Sequence, residues 1–358
     1  MRPTYAEIDL GAIAHNVRAF ADLIAPSRVC AVVKADAYGH GDVPTAGAAV
    51  EAGADCLAVA LVEEGARLRE AGISVPILLL SQPAPDAAED IVRWELTPTA
   101  YSKSFIEALS RTGEDLDVHV KVDTGMHRVG APPQALPGLL EEIGAAGHLR
   151  LGGLWTHFSV ADEDPDYTKL QIEAFEEAIQ GHDAPVEHLA NTAGAALFPE
   201  SRHDLCRIGL GIYGLHPSKE TRSVIDLRPA MRVITHVSHV QRHPAGERPS
   251  YGRRRPLQVE STVVTAPIGY ADGYARGLSD SASVLIGGKQ FPLAGTVTMD
   301  QIVIDVGDED VDVGEEVVVL GSQGGEEFGA DDWANALNTI SYEVVCSIGP
   351  RVPRRYLN

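Results

Sequence analysis

The chain has 358 residues, is 44% hydrophobic and carries a formal net charge of −22. That length suits a large domain with a smaller companion, and the apolar content can fill a sizeable core. The acidic balance argues against nucleic acid and anionic membrane surfaces as partners, and no apolar run is long enough to span a bilayer. The N-terminus shows no apolar signal region. The four cysteines, Cys30, Cys56, Cys206 and Cys346, have no paired spacing, so reduced core thiols and a cytoplasmic location are expected, with no disulfide frame. Lysine is scarce: six of the 29 basic residues.

Ala6–Asp9 reads as a short strand. Ile13, Asn16, Val17, Phe20, Leu23 and Ile24 follow helical spacing, and Pro26 stops that helix. From residue 28 a cycle of apolar strand, loop and amphipathic segment repeats. Strands are predicted at 28–33, 56–60, 75–80, 95–99, 116–122, 150–156, 187–190 and 204–209. Helical patterns fall between them, for instance at 61–71 and 167–181. Alternating strands and helices mean βα units, and eight of them predict a (β/α)8 barrel, with a doubly wound sheet as the fallback. After residue 226 the texture changes to period-two alternation at 231–241, 257–268, 282–286 and 301–306. Gly287-Gly288 is a hairpin signal, and one late helix is predicted near 330–337. The predicted division is therefore a barrel domain, 1–226, and a mostly β domain, 227–358.

Catalytic residues of such barrels sit at the C-terminal ends of the strands. The stretch Arg28–Gly41 delivers Lys34 at the end of an apolar strand. Two readings stand for it: a desolvated amine that attacks carbonyls, or a lysine that snorkels out of the strand end. Lys121 ends another strand and precedes Val-Asp-Thr-Gly-Met-His-Arg128; Trp155-Thr-His157, Ala190-Asn-Thr192 and Cys206-Arg207-Ile-Gly-Leu-Gly211 end others. These positions make a basic mouth on an acidic protein, suited to a phosphate or carboxylate. Asp123, Thr124 and Asn191 are also ordinary turn and cap residues. His40 reads as structural. His216, His236, His239 and His243 lack ligand spacing, so no metal is assigned.

The motif Val33-Lys34-Ala-Asp-Ala-Tyr38-Gly-His-Gly41 resembles the cofactor motif of alanine racemases. Lys121–Arg128, His188–Thr192, Arg207–Gly214, Ser250-Tyr251-Gly252, Gly269–Tyr274, Met299-Asp300-Gln301, Tyr342-Glu and Arg351–Tyr356 match the same family in the same order, across essentially the whole chain. The resemblance implies a pyridoxal 5'-phosphate barrel followed by a β domain. It implies a homodimer with shared sites and the interconversion of L- and D-alanine to supply peptidoglycan. Lys34 would hold the cofactor and serve as one base; Tyr251, from the partner subunit, would be the other. Tyr38, Asn191 with Thr192, the backbone of Gly209 and Leu210, and Tyr342 would belong to the phosphate end. Arg207 would face the pyridine nitrogen, and His157 would bridge Tyr251 and Arg207. Arg128 and the backbone at Met299 would hold the substrate carboxylate, with Tyr270 and Asp300 coming from the partner. Lys121 matches a lysine that is carbamylated in many family members.

The chemistry supports this pattern. Racemisation needs a proton removed from one face of Cα and returned on the other, which two bases solve directly. Arginine keeps its proton, so a ring nitrogen facing it stays unprotonated. Tyr251, with a reference pKa near 10, needs positive neighbours to act near neutrality, and His157 and Arg207 are the candidates. The chain departs from the family pattern at Asp36, where asparagine is common, at His127, where glycine is common, and at Thr192, which replaces serine. Arg253-Arg254-Arg255 follows Tyr251-Gly252, where smaller residues are expected; the tract either tunes Tyr251 or is a solvated basic loop. Other readings are a broader amino-acid racemase that also turns over serine, a basic amino-acid decarboxylase of like architecture, and a cofactor carrier without turnover. Pocket size decides the first, a carboxylate in place of Arg207 would mark the second, and the β half with Tyr251 argues against the last.

Overall fold

A computed structural model describes residues 2–358. The chain divides into two compact units. One comprises residues 11–37 and 41–228; the other comprises residues 2–10, 38–40 and 229–358. The first strand, β1 (Tyr5–Asp9), belongs to the second unit, because it pairs with strands near residues 231–234 and 354–357. The compact units therefore differ from the predicted 1–226 and 227–358 division at the N-terminus. An isolated strand of five residues is placed by its hydrogen-bonding partners, which local sequence does not reveal.

In the first unit, β2 (Arg28–Val32), β3 (Cys56–Val59), β4 (Ile77–Leu79), β5 (Thr99–Ala100), β6 (Leu116–Lys121), β7 (Leu149–Trp155), β8 (Glu187–His188) and β9 (Leu205–Ile208) all run parallel. The ladders give two four-stranded arcs, β4-β3-β2-β9 and β5-β6-β7-β8. A parallel bridge between Leu78 and Thr97 joins β4 to the approach of β5. The amides of Asp204 and Arg207 donate to the carbonyls of Glu187 and Ala190, at 3.1 and 3.0 Å, and join β8 to β9. The eight strands thus close into the predicted barrel. Short β5 and β8 leave little apolar pattern to read, yet both stand near the predicted places.

The predicted first helix spans Leu10–Ile24 and buries Ile13, Asn16, Val17, Phe20 and Ile24. Buried Asn16 is satisfied: its amide donates to the carbonyls of Ile212 and Arg228, and its oxygen accepts from the amide of Arg228. Further helices cover Val62–Glu70 and Pro165–Ile179. Trp155, Phe20, Phe105, Phe158 and Phe175 are among the largest side chains fully removed from water.

The second unit continues with β10 (Met231–His236), β11 (His239–His243), β12 (Ser261–Ala266), β13 (Ser283–Ile286), β14 (Lys289–Pro292), β15 (Ile302–Gly307), β16 (Glu316–Gln323), β17 (Glu326–Phe328) and β18 (Arg354–Leu357). One sheet has the order β14-β13-β16-β10-β1-β18, with β17 on β16; a second has the order β11-β12-β15. The alternating run 231–241 is therefore two strands in two sheets, broken at Val237-Ser238. Period-two patterning records which residues are half-buried, not where a strand changes partners. Gly287 and Gly288, with φ of 57° and 75°, turn β13 into β14 as the two glycines predict.

Candidate active site

The turn that carries Lys34 is left-handed. Ala35, Asp36, Ala37 and Tyr38 all have φ between 51° and 54°. Such a conformation costs about 1–2 kcal/mol for each non-glycine residue, so the surroundings must hold it. Several of the holding bonds lie in the barrel unit. The amide of Ala35 donates to Glu64 at 2.7 Å, and those of Ala60 and Leu61 donate to the same carboxylate at 2.8 and 3.1 Å. Asp36 accepts from the amide of Asp42 at 3.0 Å, and its carbonyl accepts from Gly41 at 2.9 Å. Aspartate, like the asparagine common in the family, tolerates the left-handed region better than most residues. Glu64 was not singled out in the sequence; its signal is a glutamate at the third position of a helix, reaching back to the cap.

Arg207 is buried at 2% exposure and anchored from several sides. Nη1 donates to the carbonyl and Nδ1 of His188, at 2.9 and 2.8 Å. Nη2 donates to the carbonyls of Thr156 and Leu189, at 2.7 and 2.9 Å, and to His157 Nδ1 at 3.2 Å. Nε is buried with no partner. Burial lowers the guanidinium to about 10, so it keeps its charge near neutrality. Its carbon lies 4.5 Å from the Trp155 ring centroid, and Lys121 Nζ also lies 4.5 Å from that centroid.

Lys121 is buried as well. Burial, then Arg207, then Arg128, lower its amine to about 7, with Lys34 adding a smaller push and Asp123 opposing. Burial, then Arg207, Lys121, Arg128 and Lys34, hold the His157 imidazole well below its ordinary value. This corrects the expectation that His157 lends positive charge. It is neutral, and because Nδ1 faces a donor-only guanidinium, its proton sits on Nε2.

Arg128 is exposed, in a loop shaped by Asp123, whose carboxylate accepts from the amides of Gly125 and His127 at 3.0 Å each. Burial pushes that carboxyl up, but those bonds outweigh it and hold it low. His127 has φ of 53°, which explains why glycine suits that position in the family. Asn191 caps the helix Thr192–Leu197, accepting from the Gly194 amide at 2.9 Å. Thr192 Oγ1 accepts from the amides of Gly209 and Gly211, at 3.1 and 3.4 Å, which leaves its hydroxyl proton to donate. The Gly209 amide is thus already engaged. Leu210 opens the tight turn Leu210–Tyr213. Cys206 is buried, as expected of a core thiol, and burial pushes the thiol up to about 12. Exposed Cys346 departs from the expected core packing.

In the β-rich unit, the rings of Tyr38 and Tyr342 lie 6.0 Å apart, and burial, then Tyr342, raise the Tyr38 hydroxyl. Tyr251 is 74% exposed, Met299 52% and Tyr270 43%. Asp300 pairs with Arg351 at 2.7 Å, and Arg351 reaches buried Asp272 at 3.3 Å. The arginine tract is engaged: Arg253 faces Glu247 at 3.6 Å, Arg254 and Arg255 face Asp280 at 2.8 and 3.7 Å, and Arg255 donates to the Ser279 carbonyl.

With a buried cationic cluster at the ends of barrel strands and a β-rich unit after it, comparison with known proteins decides the family. The family described as "Alanine racemase, N-terminal domain" matches residues 8–217, and "Alanine racemase, C-terminal domain" matches residues 230–356. The chain belongs to the alanine racemase family. The alanine racemase of Symbiobacterium thermophilum is 44% identical over 99% of this chain and 97% of its own length. That of Halothermothrix orenii is 41% identical over 100% and 97%. Among solved structures, the alanine racemase from E. faecalis has a TM-score of 0.95 at 36% identity, covering 99% of this chain and 98% of its own. The alanine racemase from Bacillus anthracis, solved with bound L-Ala-P, has a TM-score of 0.94 at 36% identity, covering 100% and 96%. The chain is accordingly an enzyme, an isomerase acting on alanine, with the barrel-plus-β architecture of its relatives. Among the described residues no helix is long and apolar enough to cross a membrane.

Proposed function

We propose that this alanine racemase works with pyridoxal 5'-phosphate and two bases, Lys34 on one face of the substrate and Tyr251 of a second subunit on the other. The observation that carries the reading is the unpartnered Nε of buried Arg207, set within the cluster of Lys34, Lys121 and Arg128. A charged donor without an acceptor is costly inside a protein, and a ring nitrogen with a free lone pair supplies that acceptor. The cationic surroundings suit a phosphate and a carboxylate. The residues therefore fit this cofactor.

When bound, the cofactor supplies an electron sink for breaking the Cα–H bond. Lys34 would hold it and move the proton on its own face. Thr192, with its free hydroxyl proton, Asn191, the backbone of Leu210, Tyr38 and Tyr342 are the residues proposed for the phosphate end, with Gly209, whose amide donates to Thr192 Oγ1, orienting that hydroxyl. Arg207 cannot give up its proton, which keeps the ring nitrogen unprotonated and restrains side reactions. Arg128 and the backbone at Met299 would orient the substrate carboxylate, with Tyr270 and Asp300 of the second subunit beside it. His157, neutral and protonated on Nε2, would donate a hydrogen bond to the Tyr251 oxygen. The positive charge that makes Tyr251 basic would then come from Arg207 behind it.

On this reading the region 227–358 contributes the second base across a homodimer, the enzyme works in the cytoplasm, and its D-alanine enters peptidoglycan. The L-Ala-P bound by the Bacillus anthracis relative supports an alanine-related substrate. The Lys121 amine near 7 supports carbamylation, because a neutral amine attacks carbon dioxide and the new carboxylate would offset Arg128. Carbon-13 bicarbonate should give a carbamate signal that Lys121→Met abolishes. The decisive assay measures D-alanine from L-alanine for wild type, Lys34→Ala and Tyr251→Phe. Wild type should be active, Lys34→Ala inactive, and Tyr251→Phe strongly impaired. Full two-way activity in Tyr251→Phe would sink the two-base reading.

A further inference from the structure

Behind Arg207 lies a second layer of bonds that runs away from the proposed cofactor position. The guanidinium only donates, so His188 Nδ1, 2.8 Å from Nη1, must accept. His188 is fully buried, and burial, then Arg207, then His119, hold its imidazole neutral. Its single proton therefore sits on Nε2. That nitrogen lies 2.9 Å from His119 Nδ1, so it donates outward. His119 is lowered to about 4, by burial first, with Asp117 opposing and Arg207 assisting. It too is neutral, and its proton sits on Nε2. His119 lines a hollow of about 440 Å³ at the N-terminal ends of the barrel strands, beside Arg28, Asp55, Cys56, Asp117 and Arg150.

The chain makes room for this arrangement. The ladder between β6 and β7 shifts register at Val118/His119. Opposite stands Gly152-Gly153. A Cβ on Gly153 would lie 2.7 Å from two atoms of the His119 ring, and one on Gly152 would lie 3.1 Å from it. Trp155 stacks on His188 with centroids 5.4 Å apart at 11°, and fixes the ring plane. Neither glycine has a positive φ; a Cβ on Gly153 would also meet the Val186 carbonyl oxygen at 2.7 Å and one on Gly152 the Asp117 Cβ at 3.0 Å, so the pair keeps room for the histidine together with its neighbours.

We infer that His188 and His119 are positioning residues for the racemase reaction: a one-way hydrogen-bond relay, Arg207 to His188 to His119, that holds the guanidinium plane and connects it to the hollow at the far end of the barrel. His188, donating to His119, becomes the better acceptor, so the relay strengthens the bond that Arg207 makes to His188 without moving a proton. The catalytic consequence rests on the reading that Arg207 faces the cofactor; the relay itself does not.

The test uses the full-length protein with nitrogen-15-labelled histidine. Long-range proton–nitrogen spectra should show both His119 and His188 as neutral Nε2–H tautomers. A proton on Nδ1 of either ring, or an imidazolium at pH 7, overturns the relay. His119→Leu should lower kcat about tenfold, because the buried Nε2–H of His188 loses its acceptor, with KM for alanine changed less than about twofold. His119→Asn, which returns an oxygen near the position of Nδ1, should restore most of kcat. An unchanged kcat in His119→Leu, or a loss that asparagine does not rescue, overturns the positioning role. If His119→Leu fails to fold, the wild-type tautomers and the kcat of His119→Asn still decide. A wild-type protein that makes no D-alanine would overturn the functional reading instead, leaving the tautomers to judge the relay.

Discussion

The two halves of the proposed chemistry are built in opposite ways. Inside the barrel, Arg207 is tied to five acceptors on four residues, and Lys121 and His188 are buried with it. In the β-rich unit, Tyr251 has a fixed backbone and a bare side chain. Ser250 Oγ donates to the Thr296 carbonyl at 2.6 Å, and Thr296 Oγ1 donates to the Tyr251 carbonyl at 2.8 Å. Ser250 and Arg253 take positive φ, with glycine at the intervening position 252 doing so freely, so the loop is held to one course. Yet the ring is 74% exposed. On the proposed two-base reading, Lys34 would belong to an environment its own unit completes, and exposed Tyr251 to one that a second subunit would supply. Removing Arg207, whose bonds tie several barrel strands together, should therefore cost stability as well as activity. Substitutions of exposed Tyr251 should cost activity alone.

The largest effect is expected at Arg207. Arg207→Leu removes the donor from the carbonyls of Thr156, His188 and Leu189 and from two imidazoles, and should lower unfolding free energy by about 3–5 kcal/mol even after relief of the buried charge. Urea unfolding measures it. Tyr251→Phe in the same experiment should stay within about 0.5 kcal/mol of wild type. An Arg207 variant as stable as Tyr251→Phe would erase the contrast between the two regions.

Next comes Glu64. Glu64→Ala leaves the amides of Ala35, Ala60 and Leu61 without their acceptor and should cost about 3 kcal/mol, whereas Glu64→Gln keeps one oxygen and should cost less than half of that. The Lys34 turn should loosen first, visible as faster amide exchange at residues 35–38.

These two residues also mark how far the sequence could be read. Arg207 was legible because it ends a barrel strand in a motif, and barrel strands aim their C-terminal residues at one mouth. The strands themselves were legible because each is an apolar run bounded by turn residues. Glu64 was not legible, since it works through backbone amides that the sequence does not display. Nor was the left-handed turn: Ala-Asp-Ala-Tyr has no glycine, and only surrounding bonds can impose that conformation on it. The placement of β1 and the division of 231–241 escaped for the same reason, being settled by distant partners. The neutral state of His157 needed the burial and the four cations around it, which no spacing records.

Lys121 gives a pH-dependent contrast. Its folded value of about 7 lies below the ~10.4 of an unfolded lysine. Below pH 7 both states carry the charge, and the folded state bears its full penalty. Between about 7 and 10.4 the unfolded state binds more protons, so stability rises with pH until the penalty has gone. In carbonate-free buffer, Lys121→Met should therefore be more stable than wild type at pH 6.5, with the gap closing by pH 10. A gap that stays constant would show that Lys121 does not titrate as its surroundings require.

The smallest effect is expected at His127. The residue sits at φ 53°, where a side chain costs about 1–2 kcal/mol relative to glycine. Glycine brings its own entropic cost of about 0.5–1 kcal/mol, because it is freer in the unfolded chain. The His127–Asp123 contact at 3.3 Å would be lost, but its histidine is 79% exposed, and such a pair contributes at most a few tenths of a kcal/mol. His127→Gly should therefore gain about 0.5 kcal/mol, read as a small rise in melting temperature. The Asp123 carboxylate would keep its bonds from the amides of positions 125 and 127, so the loop that carries Arg128 should hold its course and KM for alanine should not move. A clear loss of stability would mean that the histidine–carboxylate contact outweighs the backbone strain. His127 would then be fastening the Arg128 loop rather than merely standing where glycine fits better.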